Sequence, residues 1–391
     1  MYAADAANTG VSETARGPAG DPTIRWCFPA NFAVRASPAV AEGTVYVTSQ
    51  ASERDGPGFL HAVDAVTGRE RWSVEHGANP SSAPAFVDGT VVVGRDFRAG
   101  LVAYEASDGS VAWETETDDA VDSNPTVVGG VAYVGSEAGS VYAVAAEDGA
   151  VQWRFEAGDA VDRTPAVVDR TVFVGSRDHH LYAIDAADGS ERWRFEGDEM
   201  LLSAPAVVDG TAYIGSRAGT VSAIDVADGS ERWRVSASEF IDDDGPAIAG
   251  ASSQSAERPG VGRGSVDESG DEPGEGPRGT PGPQVNTSPA VVDGTVVFGS
   301  HAEHVHAHDA ADGSPRWAVD TGRSIGASPA VADGTVYVGD HDGTVHAIDL
   351  ADGSIRWSLE TDRWISAGPA LVDDLLFVGT DAARVYCLES D

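Results

Sequence analysis

Eight tryptophans, Trp26, Trp72, Trp113, Trp153, Trp193, Trp233, Trp317 and Trp357, divide this 391-residue chain into nearly equal lengths. The steps between them are 46, 41, 40, 40, 40, 84 and 40 residues. Twelve residues after seven of them stands a proline (Pro38, Pro84, Pro125, Pro165, Pro205, Pro329, Pro369), and only Trp233 breaks step, its matching proline being Pro289. A repeat of this period constrains the fold before composition does, because each unit must bury its apolar face against copies of itself. Every period carries the same short runs, such as "SPAVVDG" (Ser288–Gly294), "TVYVG" (Thr335–Gly339), "GTVHAID" (Gly343–Asp349), "ADGS" and "IRWSLE". They are rich in Val, Ile, Tyr and Trp and punctuated by Asp-Gly, the strongest short-range hairpin signal. Four short antiparallel strands per 40 residues, with no helical periodicity, predict a propeller blade.

Eight inner-strand segments match eight third-strand segments, which begin near His61, Val102, Val141, Leu181, Val221, Val305, Val345 and Val385. The expectation is an all-β, eight-bladed propeller of four-stranded blades, a single domain over residues 20–391. The chain stops on a third strand, "VYCLESD", and starts, at Gly20–Phe28, on a fourth. The N-terminal strand is therefore expected to complete the last blade and close the ring, removing two edges that would otherwise template aggregation. Residues 1–19 are expected to be a disordered tail. The long step after Trp233 contains an acidic Gly/Pro-rich stretch, residues 242–284, with almost no large apolar side chains. It is expected to be a disordered insertion. Its "DDDG" (Asp242–Gly245) resembles the start of a calcium loop, but no bidentate acid follows at the required place.

The segments "AVDAVTGRERW" (Ala62–Trp72) and "AIDAADGSERW" (Ala183–Trp193) fit the pattern A-x-D-x-x-T/D-G-x-x-x-W. This resembles the tryptophan-docking repeat of the PQQ-binding-like, or quinoprotein alcohol dehydrogenase-like, β-propellers. The resemblance covers residues 20–391 and implies that Trp26, Trp72, Trp113, Trp153, Trp193, Trp233, Trp317 and Trp357 are structural, each laid across a neighbouring blade. The family has an enzyme branch, which holds pyrroloquinoline quinone (PQQ) and Ca²⁺ on the propeller axis. It also has a non-catalytic branch that includes the propeller lipoprotein of the bacterial outer-membrane barrel-assembly machine. The present chain has no adjacent cysteines, no lysine to pair with the quinone's carboxylates and no C-x-x-C-H haem signature. The reading is therefore a non-catalytic scaffold that binds another protein or a small ligand, as a monomer, with no cofactor expected. A PQQ- and Ca²⁺-dependent oxidoreductase is the alternative.

The formal charge is −38, from 63 acidic residues against 25 basic ones, and all 25 are arginine. Such a surface repels nucleic acid and anionic membranes. The composition resembles that of halophilic proteins, so most carboxylates read as solvent-facing. No apolar run approaches a membrane span. The first residues lack the basic and apolar regions of a signal peptide, which predicts a cytoplasmic protein, or an exported one if a leader precedes Met1.

A binding face is expected where loops enter the inner strands and where second strands turn into third strands. The entering loops offer Arg35, Ser82, Asp122, Asn124, Asp162, Arg163, Ser328 and Ser366, and place Met200 and Trp364 at one shared position. Trp364 is the one tryptophan outside the docking series. It is the candidate for stacking on a ligand or partner, and shielding the mouth is the other role its position allows. The second set of loops offers Arg95, Arg98, Arg177, His179, Arg217, His301 and His341. His304, His306 and His308 share one strand face, but i, i+2 spacing of about 6.5–7 Å is too wide for one ion, and no metal site is assigned. No nucleophile–base set or phosphate loop stands out. Matching the two cut ends of the repeat sets Cys27 opposite Cys387, with facing Cβ atoms about 4.5–5.5 Å apart. A disulfide across the closing seam and a chance pairing are both open at this point.

The charge excess generates a prediction. Raising KCl from about 0.1 M to about 3 M shortens the screening length to a few ångströms and should raise the melting temperature by about 10 °C or more. A salt-independent melt would show that the carboxylates are already compensated within the fold.

Overall fold

The computed structural model describes residues 6–12, 14–18, 20–51, 56–78, 82–96, 99–240 and 283–390. It shows eight four-stranded antiparallel sheets. Blade 1 consists of Ala39–Ala41, Thr44–Gln50, Pro57–Asp64 and Glu70–Ala78, and blades 2 to 7 follow in chain order. The inner strands Ala39–Ala41, Ala85–Val87, Thr126–Val128, Ala166–Val168, Ala206–Val208, Ala290–Val292, Ala330–Ala332 and Ala370–Val372 touch in sequence, and the last touches the first. The ring is closed. In blade 8 the strand Pro22–Pro29 lies outside Arg384–Ser390, so the first strand of the chain completes the last sheet as its sequence requires.

The inner hairpins have the predicted chemistry. At Asp333-Gly334 both central residues have positive φ, 45° and 68°, the turn whose twist matches the strands it joins. At the outer turns the glycine is needed for packing as well. Gly189 has φ 74°, and a Cβ there would fall on the ring of Trp153 from the preceding blade. Trp153 donates its indole N–H to the Ala186 carbonyl of that same turn, at 3.0 Å. Trp26, Trp72, Trp113, Trp193, Trp233 and Trp317 do the same to Ala65, Ala106, Ala146, Val226, Ala310 and Leu350, at 2.8–3.1 Å. The core lies between blades, in clusters that each draw on two neighbouring sheets.

The eighth tryptophan has no such turn ahead of it, because the chain is cut there. Trp357 instead donates to Pro18 O at 3.1 Å, and Tyr337 Oη donates to the same carbonyl at 3.2 Å. Within the tail expected to be disordered over residues 1–19, residues 6–12 and 14–18 are described and make such contacts. Beyond Pro18 it enters the channel and runs across the inner strands. Gly10, Thr9, Ala7 and Ala6 carbonyls accept the amides of Val331, Val291, Val207 and Val167 in turn. The inner strands otherwise present these amides as unpaired edges, which a polar extended segment satisfies. The insertion expected at 242–284 lies outside the described residues, apart from Pro283 and Gln284 at the entrance to blade 6.

The cysteine pairing is corrected. Cys27 lies opposite Tyr386, and Cys387 lies opposite Trp26. A bulge at Arg25 adds one residue to the outer strand, and a shift of one residue turns every side chain to the other sheet face. Cys27 packs toward blade 7 and Cys387 toward blade 1; both are free thiols. Burial pushes the Cys387 thiol up to about 12. A thiol reagent should therefore modify one cysteine, the half-buried Cys27, in the native protein and both after unfolding. A 2 Da mass gain on reduction of thiol-blocked protein would restore the disulfide.

Candidate functional site

The loops that enter the inner strands all read in one register, counted back from the proline. Four residues before it stand Val34, Val121, Val161, Leu201, Val285, Ile325 and Ile365, all buried. Each abuts a glycine at or next to the end of the second strand of the preceding blade. At Gly135 an added Cβ would land on the Val161 carbonyl, so this close approach needs glycine. Two residues before the proline, Ser123, Ser203 and Thr287 accept the amides of Gly135, Gly215 and Gly299 at 2.7–2.9 Å. These positions anchor the loop. The alternate ones are left to face the axis.

Three residues before the proline stand Arg35, Asp122, Asp162, Asn286, Gly326 and Ser366, and one before it Ser37, Asn124, Thr164, Ala204, Ser288, Ser328 and Gly368. All of these line one axial cavity of about 250 Å³. The innermost set is knitted around the ring. Asn124 accepts from the Ala83 amide at 2.6 Å and donates to Thr164 Oγ1 at 2.8 Å, while Ser288 and Ser328 accept from the Ala204 and Ser288 amides. A smaller lobe beneath is bounded by Asn8 and Gly10, so the N-terminal segment is the floor.

The charged side chains on the cavity wall are Asp122, Asp162, Arg35 and Arg163. Arg177 reaches Asp162 at 2.7 Å and Glu137 at 3.3 Å. Asp122 has no hydrogen bond among the described residues, and its buried Oδ1 is unpartnered. Burial, with the charges of Asp96, Glu137 and Asp162, raises its carboxyl to about 7 despite Arg177. Burial also raises Glu137. Beside the cavity His341 stacks on Trp364, with ring centroids 5.3 Å apart and 15° between planes, and His301 meets His341 edge-on at 6.0 Å. Trp364 is 54% exposed, among the most exposed large apolar side chains described. Burial lowers both imidazoles.

The structure therefore brings Arg35, Asp122, Asn124, Asp162 and Arg163 into one cavity, places Arg177 behind it, and groups His301, His341 and Trp364 as an aromatic ledge beside it. It leaves Arg95, His179 and Arg217 away from the cavity lining, engaged with Glu114, Glu199 and Met200. Arg98 lies outside the described residues. His306 and His308 are buried in blade 6 around Phe298. Among the described residues no group of three His, Cys, Asp or Glu is disposed to hold a metal ion. The sequence reading missed Asn8, Thr164, Asn286 and Ser288. The last three could have been found by reading the two proline-relative positions at every blade; Asn8 carries no such signal.

An eight-bladed propeller girdled by docked tryptophans, with an axial cavity walled by the loops that precede its inner strands, is a PQQ-repeat propeller. More particularly, this chain belongs to the family described as outer membrane protein assembly factor BamB, whose profile matches residues 56–160, 137–257, 263–364 and 341–391. Its fold is that of BamB from Moraxella catarrhalis (TM-score 0.69, 16% identity, 94% of this chain and 97% of that one). It is equally that of the quinohemoprotein alcohol dehydrogenase from Comamonas testosteroni (TM-score 0.74, 16% identity, 98% and 79%). A stretch of 121 residues is 35% identical to the serine/threonine-protein kinase AfsK of Streptomyces griseus; it covers 28% of this chain and only 14% of the kinase.

The enzyme branch implies PQQ, a tricarboxylate, on the axis. The cavity here presents buried carboxylate oxygens, and its two rim cations already face acids, Arg35 at Asp381 and Arg163 at Asp162. The N-terminal segment crosses the channel below. These residues do not fit the quinone.

The environment of Asp122 makes stability depend on pH. Its folded carboxyl titrates near 7 against an ordinary aspartate value of 3.8, so between those values the folded state holds more protons than the unfolded one. Its stability contribution is therefore full at low pH and falls as pH rises through 7. Asp122→Asn should raise the melting temperature by several degrees at pH 8 and by almost nothing at pH 4. An equal effect at both pH values would show that Asp122 is not an uncompensated acid.

Proposed function

We propose that this chain is a non-catalytic scaffold that docks a partner on the face carrying the axial cavity. The observation behind the reading is Trp364, a large apolar ring left half in water, backed by His341 and set beside a cavity whose wall carries Asp122 and Asp162. Half-exposed tryptophans with stacked support are typical anchors of protein interfaces, and an arginine or lysine from a partner complements the acids beside it. The family description, an assembly factor, names a role of this docking kind. The misfit of the cavity to a tricarboxylate weighs against the quinoprotein oxidoreductase.

Two measurements test the proposal together. A photo-crosslinking residue at position 364 should give a discrete adduct in lysate at molar salt, absent when the same residue replaces the exposed Val111 on an outer strand. Incubation with PQQ and Ca²⁺ should give no dye-linked alcohol oxidation. Turnover, or equal crosslinking at both positions, would sink the scaffold reading.

A further inference from the structure

The axial cavity leaves hydrogen-bonding atoms of both kinds unsatisfied. Among the described residues, Asn8 Oδ1, Asp122 Oδ1, Asp162 Oδ1 and Asn286 Oδ1 are buried acceptors without a donor, and Arg163 Nε is a buried donor without an acceptor. All five residues line its two lobes. Native proteins satisfy such atoms nearly always, so this set in one cavity describes a missing complement that both donates and accepts. Asn8 fixes the floor. It is 4% exposed, and its amide nitrogen donates to two carbonyls, Thr164 O at 3.2 Å and Pro165 O at 3.0 Å. Only a donor nitrogen can face two carbonyls, so the side chain cannot be flipped and its oxygen is the atom left over.

Charge does not choose the ligand. Both arginines of the wall face acids, Arg35 at Asp381 and Arg163 at Asp162, and Arg177 behind the wall reaches Asp162 as well. The geometry at Asp162 does choose. Its Oδ1 and Arg163 Nε lie 3.6 Å apart, beyond hydrogen-bonding distance of each other, so a single atom set between them can serve both. A carboxylate brought to Arg163 Nε would lie against Asp162 Oδ1, and an ammonium brought to Asp162 Oδ1 would lie against the guanidinium. A hydroxyl accepts from the one and donates to the other. Water does this too, but a volume of about 250 Å³ holds on the order of eight waters at ~30 Å³ each, and every one is ordered at its own entropic cost. One molecule carrying several hydroxyls makes the same bonds with one loss of freedom. At the rim, Trp364 has one face on His341 and stays 54% exposed, a platform for the C–H face of a ring.

We propose that the axial cavity binds a neutral, ring-shaped polyol, the class of a pyranose sugar or a cyclitol. One hydroxyl bridges Asp162 and Arg163, others meet Asp122 and Asn286 on the wall, and Asn8 receives one at the floor. The proposal goes beyond the scaffold reading and stands without it, because it concerns the inside of the cavity. The ligand is either a free small polyol or the terminal ring of a longer glycan whose next ring rests on Trp364. The N-terminal segment then has two tasks, closing the ring at Trp357 and supplying the bottom of the site.

The test is saturation-transfer NMR titration of the full chain, in about 2 M KCl at pH 8, with glucose, galactose, mannose and myo-inositol, and with linear trisaccharides of the same hexoses. Arg163→Leu, Asn8→Ala and the control Asp228→Asn at an exposed outer turn are compared with the parent. Saturable binding of a monosaccharide or inositol, weakened about tenfold by Arg163→Leu, several-fold by Asn8→Ala and not by Asp228→Asn, supports a free polyol. The same pattern with a trisaccharide alone, weakened also by Trp364→Ala, supports a glycan. Melting temperatures are recorded for every variant, and Asn286→Ala on the wall replaces Asn8→Ala if that variant fails to fold. Three results each overturn the proposal: no saturable binding by any probe, binding indifferent to Arg163→Leu or to the asparagine variant, or displacement of the bound polyol by agmatine or succinate, which would mark a site for a charged group. These are separable from failure of the scaffold reading, which is scored by crosslinking and dye-linked turnover.

Discussion

The docked indole between blades is the contact on which the ring depends. Seven of the eight rings lie on their own sheet, cover the turn glycine of the next, and hand their N–H to that turn's carbonyl. Tyr133, Phe173, Tyr213 and Tyr337 back the rings of Trp153, Trp193, Trp233 and Trp357 from within the same blade, with centroids 5.7–5.9 Å apart. Burying one such ring is worth about 4 kcal/mol at ~25 cal/mol per Å², and the indole hydrogen bond adds direction. A chain arranged this way needs one acceptor ahead of every tryptophan. It has seven outer turns for eight rings, and Pro18 supplies the eighth acceptor. The ordering of the N-terminal segment follows from that deficit.

A second device sits on the same turn. The bulge residue before the tryptophan is arginine in blades 1, 4, 5, 6, 7 and 8, and in the first five of these it joins the Asp that opens the turn to a Thr on the second strand. Arg192 bridges Asp185 and Thr171, and Arg232 bridges Asp225 and Thr211. The ion pairs are 2.7–2.8 Å long but partly exposed, so each contributes little alone. In blade 3 all three positions change, to Val131, Ala145 and Gln152. The set behaves as one unit that fixes the bulge, and the bulge sets the register of every outer strand.

That bulge marks the limit of what was legible in the sequence. Blade number, strand order, closure by the first strand and the role of the eight tryptophans all follow from periodicity and turn chemistry, which are local. The cysteine register does not, because one extra residue at Arg25 is invisible to a repeat alignment in which every blade carries the same bulge. The tail escaped for a different reason. "AANTG" is polar, short and non-repeating, and its order comes from unpaired strand edges supplied by blades 4 to 7. The cavity wall was half legible: Asp122, Asn124, Asp162 and Arg163 stand out as variation within a repeat, whereas Asn8 becomes part of the site only through the path of the tail.

Repetition and acidity together separate two kinds of carboxylate in this molecule. Asp185, Asp225 and Asp309 are turn acids, each beside an arginine and one or two turn amides that hold its carboxyl below the usual range. Exposed acids elsewhere are answered by salt, whose screening acts through solvent. Asp122 is answered by neither. Its Oδ1 is buried, so added salt reaches it weakly, and among the described residues it has no arginine or amide in hydrogen-bond range. Screening by salt acts on the exposed acids but not on an acid held inside the ring at a cost to stability. Buried charge without a partner is tolerated where a partner arrives from outside. The axis is where every blade contributes a residue and where the repeat is least uniform.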